Sequence, residues 1–216
     1  MKAKIAVTVL ALLFSLQAEM AFAQTHSETV PCGMPSAYQS TIFQMSSHYV
    51  PLITDRGDQK YKGSGLIISD DVILTAFHLL KPYGDTKLVD GTRPEIIFSR
   101  PYQDLVILKF EKPIFMNLSK LEAGEARQGD EVYCYSNAQG LDGVYQKYTV
   151  GKVTDETIVV SPRLEEGSSG AAVYDKDGKV IGLVSRDIGE NGSMGEIIPV
   201  SAFKSLFEQN SCPPAK

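Results

Sequence analysis

The stretch Gly167-Ser168-Ser169-Gly170-Ala171-Ala172 places a serine between glycines, immediately before an apolar segment, Ala172-Val173-Tyr174. A nucleophilic serine needs a base to accept its proton and hydrogen-bond donors where negative charge develops on the attacked carbonyl. A glycine two residues ahead of Ser169 lets the backbone turn so that the amides of Gly167 and Ser169 converge on one point, which makes them the candidate oxyanion donors. Taken alone the stretch also reads as an ordinary Gly/Ser turn between strands. The other groups have to be found elsewhere in the chain.

Three histidines are available, His26, His48 and His78. His26 lies in a polar lead-in and His48 follows the polar pair Ser46-Ser47, whereas His78 comes just after the apolar run 72–76, whose end can hold an imidazole over a cleft. The base in turn calls for a rigidly held carboxylate to fix its tautomer and stabilise its cation. Asp104 opens the apolar run 105–108 and is carried at the edge of a core, while Asp70, Asp71, Asp85 and Asp90 stand in turn-like sequence and read as solvated.

These groups need short strands to position them, and the sequence supplies many. Apolar or alternating runs at 41–50, 61–68, 72–76, 95–98, 105–110, 131–135, 147–153, 157–160, 172–174 and 180–185 predict strands. Turn signals at 69–71, 89–91, 141–143 and 176–178 separate them, the last giving the clearest hairpin. Many short strands at this spacing indicate an all-β sandwich or barrels. One helix closes the domain at about 201–209, with Ser201 as its cap and Phe203, Leu206 and Phe207 on one face.

The 216 residues are 43% hydrophobic, enough for a sizeable core, and the formal charge of -5 gives no basic surface for nucleic acid or anionic membranes. Lys2 and Lys4 precede an apolar run at 5–16, and Ala21-Phe22-Ala23 supplies a small-x-small cleavage pattern, so residues 1–23 read as a signal peptide and the protein as exported, periplasmic or extracellular. The apolar run is shorter than the ~20 residues of a membrane span, so no membrane association is expected after cleavage. Residues 24–37 read as an irregular lead-in and 38–216 as the folded domain. Of three cysteines, Cys134 falls in a strand pattern and reads as a buried residue, leaving Cys32 and Cys212 as the pair that staples the termini. No cysteine has histidine partners at ligand spacing, so no metal site is read.

The blocks Leu74-Thr75-Ala76-Phe77-His78, Asp104-Leu105-Val106-Ile107-Leu108-Lys109 and Gly167-Ser168-Ser169-Gly170 resemble the three catalytic blocks of trypsin-like (chymotrypsin-fold) serine proteases, in that family's order. Gly63-Ser64-Gly65, Asp177-Gly178-Lys179-Val180-Ile181-Gly182 and Gly195-Glu196-Ile197-Ile198-Pro199 extend the likeness, which is greatest to the bacterial Deg/HtrA-type branch and spans roughly 61–207. The resemblance implies two six-stranded antiparallel β-barrels packed perpendicular, about 38–120 and 121–200, with His78 and Asp104 from the first and Ser169 from the second. It implies cofactor-free hydrolysis of peptide bonds: His78 deprotonates Ser169, Gly167 and Ser169 hold the oxyanion, and Asp104 orients His78.

It also implies that Ser185, Arg186 and Asp187 form an edge strand for pairing with a protein or peptide substrate. Arg163 and Leu164 fall near the primary pocket. Leu164 favours a small aliphatic side chain before the scissile bond; Arg163, turned inward, favours an acidic one unless Glu196 neutralises it.

The departures from the family pattern are specific. Ala171 replaces a glycine, a change that fits if its φ is negative. Ser168 stands where the animal digestive members carry an aspartate that receives a new N-terminal ammonium. No counterpart of the branch's peptide-binding (PDZ) domain is read, so a monomer is expected rather than a cage. The rival reading is a catalytically silent protein of the same fold that binds peptides or a partner protein through the same cleft.

The mature protein is expected to begin at Gln24 and to carry a Cys32–Cys212 disulfide, which over so long a loop contributes roughly 4 to 5 kcal/mol in a chain-entropy treatment. Intact mass and non-reduced peptide mapping check both, and a bridge from Cys134 to either terminal cysteine sinks the pairing.

Overall fold

The computed structural model describes residues 36–56, 58–80 and 85–209. Residues 1–23, read above as a signal peptide, nearly all of the expected lead-in, and both Cys32 and Cys212 lie outside the described residues. The chain divides into two units, 1–39 and 40–216, and the second carries every strand among the described residues.

Helix α1 (Ser36–Ser47) precedes strand β1 (Tyr49–Arg56), so the run 41–50 is mostly helix rather than the strand its alternation suggests. Its end is set by the two serines that follow the apolar residues. Ser46 Oγ donates to the Phe43 carbonyl at 3.0 Å and Ser47 Oγ to that of Gln44 at 2.8 Å, occupying carbonyls that the last turn would otherwise leave open.

Strands β1, β2 (Gln59–Ile67), β3 (Val72–Ala76), β4 (Asp85–Leu88), β5 (Glu95–Arg100) and β6 (Leu105–Lys109) form one six-stranded antiparallel sheet in the order β4-β1-β2-β3-β6-β5. Strands β7 (Glu131–Ser136), β8 (Val144–Val153), β9 (Ile158–Ser161), β10 (Ala172–Tyr174), β11 (Val180–Ile188) and β12 (Met194–Pro199) close into an antiparallel barrel, β10-β11-β12-β9-β8-β7. The all-β, two-by-six architecture is therefore as expected, but the first half is a curled sheet rather than a closed barrel. Its edges, β4 and β5, follow one another through the 89–91 turn, where the Leu88 amide donates to the Thr92 carbonyl at 2.9 Å without starting a ladder between them. The turns at 69–71, 141–143 and 176–178 do join paired strands.

Strands β3 and β6 are apolar but for Thr75 and the exposed Lys109, because almost every residue is buried on one face or the other. Three clusters result. Leu52, Ile73, Val106 and Leu108 fill the first sheet; Cys134, Val150, Val173 and Ile197 fill the barrel; Leu74, Leu105, Tyr174, Leu183 and Phe203 bring side chains of both into one shared core. Cys134 is a free, fully buried thiol whose pKa burial pushes up to about 12, so it behaves as a small apolar residue. The closing segment is shorter than its sequence suggests: a 3-10 turn (Val200–Ala202) precedes helix α2 (Ser205–Gln209), and Phe203 and Phe207 are both buried.

His48 is a buried strut between separate parts of this fold. Its Nδ1 lies 2.7 Å from the Ile67 carbonyl, and its Nε2 lies 2.9 Å from the Ser119 carbonyl and 3.1 Å from the Ser119 hydroxyl. A neutral ring has one N–H and can donate to only one of these two carbonyls, and when Nδ1 carries it Nε2 can accept from the Ser119 hydroxyl. Burial is the dominant influence on its pKa and, against the raising effect of the two carbonyls, holds it below the usual 6.5. A folded-state pKa below the unfolded one means that this stability is present above pH 6.5 and is lost as pH falls through the folded value. Denaturation profiles between pH 5 and 8 should therefore slope less in His48→Gln than in wild type, even though the variant is weaker throughout; equal slopes exclude His48 as the source.

Candidate active site

His78 and Asp104 arrive at the same end of two paired strands. Strand β3 runs alongside β6 with Ala76 opposite Leu105, so the residues just past the end of one and just before the start of the other are neighbours. His78 sits in the 3-10 turn Phe77–Leu80, and Asp104 ends the 3-10 turn Pro101–Gln103 in the left-handed conformation, φ 55° and ψ 38°. Aspartate tolerates that conformation better than most residues. It lets the Asp104 carbonyl accept from the Phe77 amide at 2.9 Å while the carboxylate turns back onto His78. Asp104 Oδ1 accepts the His78 backbone amide at 2.7 Å, and Oδ2 lies 2.8 Å from His78 Nδ1. His78 is thus held at two points, its backbone amide and its ring Nδ1, with Nε2 at the far end of the ring.

Ser185 supplies a further bond: its hydroxyl donates to Asp104 Oδ2 at 2.6 Å. Burial by itself raises the Asp104 pKa, but the hydrogen bonds from His78 and Ser185, with the charge of His78, outweigh it and hold the carboxyl below the usual carboxylate range. The carboxylate stays ionised, which is the form that can orient an imidazole and stabilise an imidazolium.

Ser169 comes from the second sheet, in the loop ahead of β10, and its hydroxyl donates to the Ser185 carbonyl at 3.2 Å. The two adjacent serines have separate surroundings. Ser168 is fully buried, its hydroxyl 3.0 Å from both the Ser136 hydroxyl and Gln146 Oε1, whereas Ser169 is half-buried and lines a cleft of about 270 Å³. Gly167 has φ +91°, and a Cβ there would overlap the Asn137 carbonyl oxygen, so only glycine fits. Among the described residues, the amides of Gly167 and Ser169 donate to no protein group; Ser169 lines the cleft, whereas Gly167 is buried beside it in sequence and is not among the lining residues. Ala171 lies outside the positive-φ residues and packs into the barrel core, so the methyl group in place of the family's glycine is accommodated.

The cleft brings together Arg163, Leu164, Ser169, Ser185, Arg186 and Asp187. Leu164 is buried against Gly195, where any side chain would collide with it, and its amide donates to Asp187 Oδ1 at 2.9 Å. Arg163 is exposed. Glu196 does not neutralise it, because Glu196 Oε2 pairs with Arg186 Nε at 2.6 Å across the β11–β12 ladder. Arg186 and Asp187 pair with β12 on one side, and β10 reaches only residues 180–183 of β11 on the other. Sequence reasoning missed the Ser185 hydroxyl as a partner of Asp104 and the turn at Asn137–Gly140 as a support of the serine loop. Gly63-Ser64-Gly65 was a visible signal for part of that support; nothing local marks the rest.

The carboxylate-anchored imidazole and the Ser169 hydroxyl are linked through Ser185, which bonds Asp104 and Ser169 and lines the cleft with Ser169, a set of groups that suits acyl transfer. The family model described as "Trypsin-like peptidase domain" matches residues 63–183. The chain is similar to a "Probable periplasmic serine endoprotease DegP-like" of Bartonella henselae, 29% identical over 164 residues that cover 68% of this chain and 33% of that one. A protein of the same description from Brucella suis is 29% identical over 170 residues, covering 68% and 32%. The chain spans about a third of the length of these curated relatives. Among solved structures it is similar in fold to the serine endoprotease from Yersinia pestis, with a TM-score of 0.66 at 19% identity, covering 82% and 69% of the two chains. The HtrA-type protease AlgW with tripeptide gives a TM-score of 0.66 at 23% identity, covering 82% and 65%.

Gly170 has φ +83°, and a Cβ there would overlap both the Ser64 carbonyl oxygen and Thr75 Oγ1, backbone and side chain of the first sheet. Gly170→Ala is therefore expected to cost roughly 2 kcal/mol or more. Gly91→Ala is the control, with a similar φ of +91° and open space around it. Urea denaturation of both variants checks this; equal losses rule out a tight contact between the sheets at Gly170.

Proposed function

The chain belongs to the trypsin-like peptidase family, and from that premise we propose that it is a serine endopeptidase acting through His78, Asp104 and Ser169. The observation that carries the proposal is the double hold of Asp104 on His78, through the ring and through the backbone, beside a cleft lined by Ser169. His78 Nε2 takes the Ser169 proton as Oγ attacks the peptide carbonyl. The Gly167 and Ser169 amides bind the oxyanion, and the imidazolium returns the proton to the leaving amine. Water then attacks the acyl-enzyme by the reverse proton path. Asp104, kept ionised by its hydrogen bonds, stabilises the imidazolium at each stage.

In the free protein the Ser169 hydroxyl rests on the Ser185 carbonyl. A substrate strand lying along the open side of 185–187 offers a backbone N–H to that same carbonyl and so releases the hydroxyl to His78. The substrate is a protein or peptide. Leu164 as the buried lining supports a small aliphatic residue before the scissile bond, and the exposure of Arg163 argues against its acting from inside the pocket. The names of the similar proteins and the pattern at residues 1–23 support export to the periplasm.

A fluorophosphonate probe should label the wild type and Ser168→Ala but neither Ser169→Ala nor His78→Ala. Asp104→Asn should keep its fold and lose on the order of 10⁴ in kcat on a peptide ester, as in enzymes of this mechanism. Peptide binding without any labelling of the wild type makes the protein a silent binder of the same fold; labelling of Ser169→Ala means that another nucleophile is at work.

A further inference from the structure

An oxyanion donor is useful only if its N–H points into the cleft, and a trans peptide fixes that direction by what its carbonyl does at the other end. For Ser169 the matter is local: the preceding carbonyl, Ser168 O, accepts from the Ala171 amide at 2.9 Å within the same tight turn. For Gly167 the restraint is imported. The preceding carbonyl, Glu166 O, accepts from the Gln139 amide at 2.6 Å, a residue from a different loop.

Gln139 is unusual in its own backbone, with φ 54° and ψ 22°, a left-handed conformation that a long side chain adopts at a cost. Two sets of bonds hold it there. Its Nε2 donates to Glu165 Oε2, one residue before the peptide it restrains. The turn that carries it is tied to β2: the Asn137 amide donates to Ser64 Oγ at 3.0 Å, and Lys62 Nζ donates to the Gly140 carbonyl at 3.0 Å. Ser64 Oγ itself donates to the Gly167 carbonyl at 2.9 Å, so both carbonyls flanking the Gly167 residue are engaged from outside the loop.

We propose that Gln139 is a positioning residue that holds the Glu166–Gly167 peptide with the Gly167 N–H directed at the oxyanion site, with Glu165 as its side-chain anchor. Losing either side chain releases Gln139 from its left-handed conformation, and the peptide is then free to rotate its donor away. Gln139 is exposed, so the lock can be weakened without disturbing a core. The catalytic consequence rests on the serine-protease reading above; the orientation of the peptide does not.

Kinetics on a peptide ester and amide hydrogen exchange test the two parts separately. Gln139→Ala and Glu165→Ala should lower kcat at least about tenfold, short of the 10²–10³ for deleting a donor outright, with KM little changed. Glu165→Gln, which keeps an acceptor oxygen for Gln139, should restore kcat. The Gln139 amide should be protected from exchange in wild type and in Glu165→Gln, and unprotected in Glu165→Ala. Wild-type kcat in both alanine variants, a change confined to KM, or a Gln139 amide that exchanges freely in wild type each overturns the proposal. Absence of Ser169-dependent hydrolysis in wild type instead overturns the protease reading, and the exchange data alone then decide the lock.

Discussion

The two halves of the site are carried by different sheets, and the backbone of Ser64 is where they are joined. Its amide donates to the Ser169 carbonyl at 2.9 Å, its hydroxyl donates to the Gly167 carbonyl, and its own carbonyl accepts from Thr75 Oγ1 at 2.6 Å. Ser64 is fully buried, so each of these bonds satisfies a group that water cannot reach. The contact is close enough that Gly170 has to be a glycine. Together with the Ser185–Asp104 bond, this junction fixes the imidazole just past the end of β3 relative to the hydroxyl ahead of β10, the kind of placement on which proton transfer depends.

The second requirement is electrostatic. A largely buried carboxylate tends to take up a proton, and three hydrogen-bond donors, two from His78 and one from Ser185, prevent it. Because the folded pKa lies below the unfolded one, the interaction stabilises the protein above about pH 3.9 and is lost as pH falls through the folded value. Ser185 has a double part, since the residue that bonds the carboxylate also offers its carbonyl to the Ser169 hydroxyl. The β-bulge between Val184 and Arg186 places it there, between the regular ladder of β11 and the open edge.

The sequence made the strands that are buried on both faces easy to read: 72–76 and 105–108 are continuous apolar runs, and the groups at their ends, His78 and Asp104, follow from them. Strand β4 was hidden because Asp85 and Lys87 point outward between Thr86 and Leu88, a pattern too short and too charged to register. The run 41–50 alternates like a strand, but Ser46 and Ser47 end a helix inside it. At the site, the serine loop was legible from its glycines, because a left-handed turn and a close approach both demand that residue. Pairings that join distant segments were not: Arg186 with Glu196, Ser185 with Asp104, and Gln139 with Glu166 leave no mark in local composition.

In the proposed mechanism Ser169 attacks a carbonyl whose oxygen is then held by the Gly167 and Ser169 amides. A crystal structure of the protein with a peptide boronic acid tests it most directly, since the tetrahedral boronate imitates the intermediate. The expected result is a bond from boron to Ser169 Oγ and one boronate oxygen about 2.7–3.1 Å from both amide nitrogens. Boron bound to any other residue, or an oxygen turned away from both amides, contradicts it.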